Sequence, residues 1–301
     1  MQSAILGTSL LRVSRLAYGA WRLTEATGRA ALLAAYEAGY TLFDHANIYG
    51  GGDGERVHGA LLHASPGLRE RTVLVTKCGV RKPDDPTGAP YRYELSHDYI
   101  LSCCEESLRR LQVETVDLYL LHRADWLANP AEIAEAFTKL KESGKVRFFG
   151  VSNFRPTLVT AIQAACPMPI IVNQIEISLG RLDAFEDGTL DQCLIERITP
   201  LAWSPLGGGQ YAEGAQRILP GQQGYRTEGV LPLLDQYAAQ RAVTRSAIAL
   251  AWLMKHPAGI IPIVGSTNPR RIRDAARADE VQLDRNEWYH LLQAAKGGRL
   301  P

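Results

Sequence analysis

From about Val13 onward, short runs rich in β-branched and aromatic residues alternate with longer segments whose apolar residues recur at helical spacing. Such alternation marks parallel βα units, in which each strand is buried on both faces and each helix packs back onto the sheet. The strand candidates are SRLAYGAW, TLFDHANIYG, VLVTKCGV, VDLYLLHR, VRFFGVSN, IIVNQIEIS, PLAWSPL and IIPIVGS. Between them lie GRAALLAAYEAGY, ERVHGALLHA, SHDYILSCCEESLRRL, PAEIAEAFTKLKESGK, RPTLVTAIQAAC, TLDQCLIERI, TRSAIALAWLMKHP and NPRRIRDAARA as helix candidates. Ser96 stands where an N-cap is expected, Pro130 in a first turn, and Gly39 and Gly144 at C-terminal stops. Eight alternations without a break in composition predict one closed (β/α)8 TIM barrel over residues 1–301, not an open doubly wound sheet. The opening SAILGTSLLRVS alternates like a small hairpin covering the bottom of the barrel, and NEWYHLLQAA reads as an extra C-terminal helix.

Working residues of such a barrel sit at the C-terminal ends of the strands and in the loops that follow. Polar and unusual residues do collect there: Trp21, Asp44 with Tyr49, Lys77, His122, Ser152 with Asn153, Asn173 with Gln174, Trp203 with Ser204, and Ser266. The longest aperiodic segment, GGGQYAEGAQRILPGQQGYRTEG, follows the seventh strand. A loop of that length in a compact domain is usually functional, so it is a candidate cofactor or substrate flap.

Composition narrows the class without naming a chemistry. Hydrophobic residues make up 46% and charged residues 22%, with Lys+Arg 33 against Asp+Glu 32. That balance argues against disorder and against nucleic acid as a partner. No signal-like N-terminus and no run of 18 or more apolar residues is present, which reads as a soluble cytoplasmic chain with no membrane partner. Cys78, Cys103, Cys104, Cys166 and Cys193 are odd in number and lack CxxC spacing, so they are expected to be reduced, buried thiols. No HExxH or comparable metal spacing occurs. No feature points to an oligomeric state.

Asp44, Tyr49, Lys77 and His122 come from the second, third and fourth strand ends, so a barrel would gather them on one rim. The set suits carbonyl reduction, where hydride arriving at carbon leaves charge on oxygen and an acid must supply a proton. A phenol is a poor acid at neutral pH unless a cation favours its phenolate, and Lys77 can be that cation. Asp44 would hold the ammonium charged and oriented, while His122 can hydrogen-bond the carbonyl oxygen. Taken singly, Asp44 reads as a turn residue and Lys77 as an ordinary paired cation; their joint occurrence carries the functional reading. Two other classes fit part of the pattern: a barrel lyase or aldolase using Lys77 as a Schiff base, and a non-catalytic subunit that keeps the barrel and its cofactor.

The runs FDHANIYG, VTKCG, LLHR, FFGVSNF, NQIEIS, LAWSPLGGG and VGSTNPRRI stand in the order and approximate spacing of the aldo-keto reductase family, which the chain resembles over nearly its whole length. It looks closest to bacterial oxidoreductases of that family that carry DHA where many members have DTA. The resemblance implies NADPH (NADP+) bound across the mouth of an (α/β)8 barrel and a small-molecule aldehyde or ketone as substrate. It implies Tyr49 as general acid, Lys77 and Asp44 as its partners, and His122 as the substrate-orienting histidine. Ser152, Asn153 and Gln174 match residues that bind the nicotinamide carboxamide, and Trp203 stands where an aromatic ring faces the nicotinamide. Ser204, Leu206 and Gly207 match the loop along the pyrophosphate, and Gly19, Ala20 and Trp21 match the first-strand loop. Ser266, Thr267 and Arg271 match the loop for the 2′-phosphate. Many members carry a lysine just before that serine, where this chain has Gly265.

The remaining candidates have plainer readings. His45 reads as a packing or supporting residue, and His58, His63, His97, His256 and His290 as helix-face or loop residues. Gly50 to Gly52 and Gly207 to Gly209 complete no GxGxxG at a strand-to-helix turn. Trp126 is as well placed for the surface as for a substrate wall, and Arg270 and Arg273 are expected to be solvated charges. The short HRADWLANP segment and the few residues after the last helix predict an open mouth admitting varied small or medium carbonyl compounds.

Overall fold

Two short antiparallel strands open the chain, β1 (Ser3–Ile5) and β2 (Arg12–Ser14). In this computed structural model, which describes residues 1–214 and 216–300, β-strands and helices then alternate around a ring. The first half runs β3 (Ala17–Gly19), α1 (Glu25–Glu37), β4 (Leu42–Asp44), α2 (Asp53–His63) and β5 (Val73–Cys78). A small antiparallel pair follows, β6 (Val80–Arg81) with β7 (Arg92–Tyr93), before α3 (His97–Leu111), β8 (Val116–Leu121) and α4 (Pro130–Glu142). The second half runs β9 (Val146–Ser152), α5 (Pro156–Ala165), β10 (Ile170–Glu176), α6 (Thr189–Glu196) and β11 (Thr199–Trp203). It ends with α7 (Val230–Arg241), α8 (Arg245–Met254), β12 (Ile261–Val264), α9 (Pro269–Ala276) and α10 (Arg285–Lys296). The closed barrel has the order β10-β11-β12-β3-β4-β5-β8-β9, so the predicted (β/α)8 barrel is the fold.

Strand side chains alternate between the barrel interior and the helix layer, and this period of two places the chemistry. Ala17, Leu42, Val75, Leu120, Val172, Leu201 and Ile263 belong to one buried interior cluster. Two residues further along the same strands, on the same face, come Gly19, Asp44, Lys77, His122, Gln174, Trp203 and Gly265. The floor of the barrel mouth is therefore the first polar layer above an apolar plug. At the opposite end the predicted hairpin does close the barrel, with Leu6 and Val13 in the same interior cluster. Gly7 lets its turn press in: φ is +52° and a Cβ there would lie 2.6 Å from the Ile171 carbonyl oxygen.

Outside the ring, helices bury a second, larger core against the strands. The C-terminal helix docks through Trp288, stacked on Trp252 at 5.1 Å, and each indole N–H donates to the other's carbonyl at 3.0 Å. Asn129 caps α4 ahead of Pro130, and Gly39 and Gly144 take left-handed φ just past their helices. Ser96 occupies the cap position of α3, but its hydroxyl donates to Glu94 and does not bind a helix N–H. Helix α7 lies beyond the pattern reading above; Pro232 falls within its first turn, where the missing N–H costs nothing. All five cysteines are buried free thiols. Among the described residues no helix is long and apolar enough to cross a membrane, and no group of three or more His, Cys, Asp or Glu is placed to hold a metal.

Candidate active site

Asp44 ends β4, Lys77 lies two residues past the point where β5 pairs with Asp44, and Tyr49 opens the turn after β4. The Lys77 ammonium is fully buried. It donates to Asp44 Oδ2 at 2.9 Å, to the His45 carbonyl at 2.7 Å and to the Tyr49 hydroxyl at 3.1 Å. All three of its protons thus have acceptors. Asp44, 2% exposed, also accepts from Gln174 Nε2 at 2.8 Å. The His122 ring stands edge-on to Tyr49 with centroids 5.8 Å apart. Tyr49 and His122 both face a cavity of about 360 Å³, while Lys77 supports the phenol from behind.

Charge on this floor is tightly arranged. Burial alone would lower the Lys77 pKa, but Asp44 and Tyr49 outweigh it and hold the ammonium above the ordinary lysine value. Burial raises the Tyr49 phenol, and Lys77 offsets only part of that rise. The expectation of a cation acting on the phenol therefore needs one addition: in the resting site the desolvated phenol is held protonated. His122 is pushed well below the usual histidine value, by burial first and then by Lys77 and Arg123, so it is neutral at physiological pH.

Around Tyr49, Ser152 donates to the Gln174 carbonyl at 2.9 Å and accepts from Asn153 Nδ2 at 2.8 Å. Trp203 Nε1 donates to Asn153 Oδ1 at 2.9 Å, fixing the indole at the cavity wall. The cavity runs past Gly19, Trp21, Ser204 and Leu206 to Ser266 and Arg271. Of the predicted residues, Lys77, Ala20, Gly207 and Thr267 do not line it. Ala20 instead fixes the β4 end by donating its N–H to the Asp44 carbonyl at 2.8 Å. At the far end, Arg270 pairs with Asp274 and Arg273 with Glu37, whereas Arg271 is exposed and has no carboxylate partner among the described residues. Asn268 caps α9 and takes the N–H groups of Arg270 and Arg271, so these helix donors are already engaged. Gly265 is open, with nothing within 4 Å of where a Cβ would stand.

Arg22, Tyr91, Arg123 and Glu213 line the cavity without having been singled out by the sequence. Arg123 directly follows the LLH run and lies 5.7 Å from the Trp203 ring, so adjacency to a strand-end histidine was its available signal. The long segment after β11 is anchored on its inner side. Tyr211 is fully buried, and Gln222 and Tyr225 donate to Glu176 at the end of β10. From its outer side Arg217 reaches over the Trp21 ring at 4.5 Å. Ala215, within the candidate flap, lies outside the described residues. Trp126 is 86% exposed and does not line the cavity.

A sequence model of the Aldo/keto reductase family matches residues 7–296. The chain belongs to the aldo/keto reductase family. It is thus an NAD(P)H-dependent oxidoreductase acting on carbonyl or alcohol groups. Among similar proteins, a 6-dehydroglucose reductase of Novosphingobium aromaticivorans is 42% identical over 98% of this chain and 96% of its own. A second protein of that name, from Agrobacterium fabrum, is 38% identical over 95% of this chain and 96% of its own. Among solved structures, a thermostable aldo-keto reductase in complex with the inhibitor epalrestat superposes with a TM-score of 0.82 at 26% identity, covering 98% of this chain and 100% of that one.

Proposed function

We propose that this aldo/keto reductase uses NADPH to reduce aldehydes or ketones to alcohols, with Tyr49 as the proton donor. The observation that carries the reading is the continuous Asp44–Lys77–Tyr49 chain opening beside neutral His122 on the cavity floor. The cavity residues fit such a cofactor: Trp203 offers a fixed aromatic wall, and exposed Arg271, with no carboxylate partner among the described residues, offers a fork of donors suited to a 2′-phosphate. Bound there, NADPH would supply the hydride. Tyr49 gives its proton to the developing alkoxide, and Lys77 stabilises the phenolate that remains. Asp44 keeps the ammonium charged and aimed, and His122 offers a ring nitrogen to the carbonyl oxygen. Ser152, Asn153 and Gln174 are the candidate holders of the carboxamide, and Arg271 with Ser266 is assigned to the phosphate. The segment after β11 is assigned as the flap over the cofactor.

Because two of the relatives are named for 6-dehydroglucose, a sugar carrying an aldehyde is the first substrate to test, within a panel of aldehydes and ketones. Loss of NADPH absorbance, with NADH in parallel, is the assay. Tyr49→Phe should bind cofactor nearly as before and lose at least ~10²-fold in kcat, because its proton is needed only in the transition state. Near-normal turnover by that variant would overturn the assignment. Borohydride trapping of a substrate on Lys77 would instead favour Schiff-base chemistry.

A further inference from the structure

Polar groups that the proposed mechanism leaves unused are concentrated directly behind the site. His45 and His58 are fully buried, with His45 Nε2 and His58 Nδ1 2.8 Å apart. His58 Nε2 lies 2.7 Å from the Tyr36 hydroxyl, which lies 2.7 Å from Thr72 Oγ1. Thr72 donates to the Leu68 carbonyl at 2.7 Å. Following the donors fixes every proton in this chain. Thr72 has given its one proton to Leu68, so it accepts from Tyr36. Tyr36 then accepts from His58 Nε2–H, and His58 Nδ1 accepts from His45 Nε2–H. His45 Nδ1 is left a bare lone pair, buried and without a partner among the described residues.

The arrangement requires both rings to be neutral, and the surroundings keep them so. Burial, His58 and Lys77 all push the His45 pKa well down, and burial with Arg69 pushes His58 down to about 3. Arg69 and Arg71 face Tyr36 at the far end. The four residues come from the end of β4, from α2, from α1 and from the position just before β5. At the near end, the His45 peptide is held on both sides: its N–H donates to the Val75 carbonyl at 2.8 Å, and its carbonyl accepts from Lys77 at 2.7 Å.

We propose that the Thr72–Tyr36–His58–His45 chain is a positioning device for Lys77. By locking the His45 ring it fixes the His45 carbonyl, one of the three acceptors that define where the ammonium points. With that acceptor loosened, the ammonium turns toward Asp44 and away from the Tyr49 oxygen. The proposal rests on the reading of Lys77 as the partner of Tyr49. His45, His58 and Tyr36 touch no reacting atom and act only through Lys77.

The test compares Tyr36→Phe and His58→Leu, which break the chain, with His58→Gln, whose side chain still offers one acceptor and one donor. Thermal unfolding of each variant shows that it is folded. The breaking variants should lose about 10-fold in kcat with KM for NADPH unchanged, a fraction of what a misplacement of about 1 Å can cost. The basic limb of the kcat–pH profile should move to higher pH, because a phenol facing the ammonium less closely holds its proton more firmly. His58→Gln should return both readouts close to wild type. Folded breaking variants with wild-type kcat and pH profile, or a glutamine variant no better than the leucine, would mean that the chain only packs α1 and α2. Tyr49→Phe, run alongside, separates the two levels: if it keeps its turnover, the reading of Tyr49 and Lys77 has failed, and not merely the chain behind them.

Discussion

Replacing Lys77 by Met removes one buried ammonium, and two separable losses should follow. The first is stability. Asp44, 2% exposed, would keep the Gln174 amide at 2.8 Å but lose its charged partner. Removing one member of a buried pair typically costs about 3–5 kcal/mol. The second loss is turnover. In the proposed mechanism the phenolate forms with its oxygen 3.1 Å from the ammonium. Unit charges at that separation attract by about 5 kcal/mol at an effective dielectric constant near 20. If half of this is realised in the transition state, kcat falls roughly 10²-fold. Urea unfolding reads the first loss, and NADPH oxidation with a saturating aldehyde reads the second. The double variant Asp44→Asn/Lys77→Met removes the orphaned carboxylate, so it should regain much of the stability and none of the rate. A folded Lys77→Met enzyme with wild-type kcat, or a double variant that recovers turnover as well, would refute the reasoning.

Arg271→Ala should raise KM for NADPH at least ~10-fold and leave KM for NADH nearly unchanged, since one hydrogen bond to a charged group is typically worth ~1.5–3 kcal/mol. Gly265→Lys should strengthen the NADPH preference, because its Cβ would meet nothing within 4 Å; equal effects on both cofactors would refute the phosphate assignment. His45, His58 and His122 have lowered folded pKa values, His58 at about 3. Their stabilising contribution is therefore complete above the unfolded value near 6.5 and is lost as pH falls below it, at up to about 1.4 kcal/mol per pH unit for each. Urea unfolding from pH 7 to 4 should show that slope, reduced by one proton in His58→Gln; a flat profile would count against buried neutral rings. Saturating NADPH should slow hydrogen exchange in residues 216–221 of the segment after β11, and unchanged exchange would argue against a flap.

The barrel was legible because its strands are short and bracketed by turns, and because period-two alternation puts a polar residue on the interior face just past the apolar run in four of them. Leu42 to Asp44, Val75 to Lys77, Leu120 to His122 and Val172 to Gln174 are all readable as i and i+2. Other features depend on contacts between distant segments. Helix α7 was hidden by a proline that is harmless in a first turn. The engagement of the α9 amides by Asn268 depends on a side-chain rotamer, and the reach of Arg217 to Trp21 depends on how a long loop folds back. His45 reads from its place beside Asp44 as a packing or supporting residue, and the structure buries it fully. His58 and Tyr36 read as ordinary helix positions, because the chain that joins them to His45 crosses three elements and has no local spacing.

The same floor suits the acid role of the proposed chemistry. A carbonyl reductase needs its acid protonated before hydride arrives, and burial provides this by raising the Tyr49 phenol. Burial alone would also make the phenolate too costly to form. Lys77 resolves the conflict because its attraction acts mainly after the proton has left, when the oxygen 3.1 Å away carries charge. That requires a cation which does not itself lose a proton in the closed site, and Asp44 with Tyr49 holds Lys77 above the ordinary lysine value against the pull of burial. It also benefits when the rings beside the ammonium carry no charge of their own. His122 and His45 flank Lys77, and both are kept neutral by burial and by the ammonium itself. The buried ammonium beside a protonated phenol, with neutral rings on either side and Arg123 as a further cation acting on the phenol, suits giving a proton to a developing alkoxide at neutral pH.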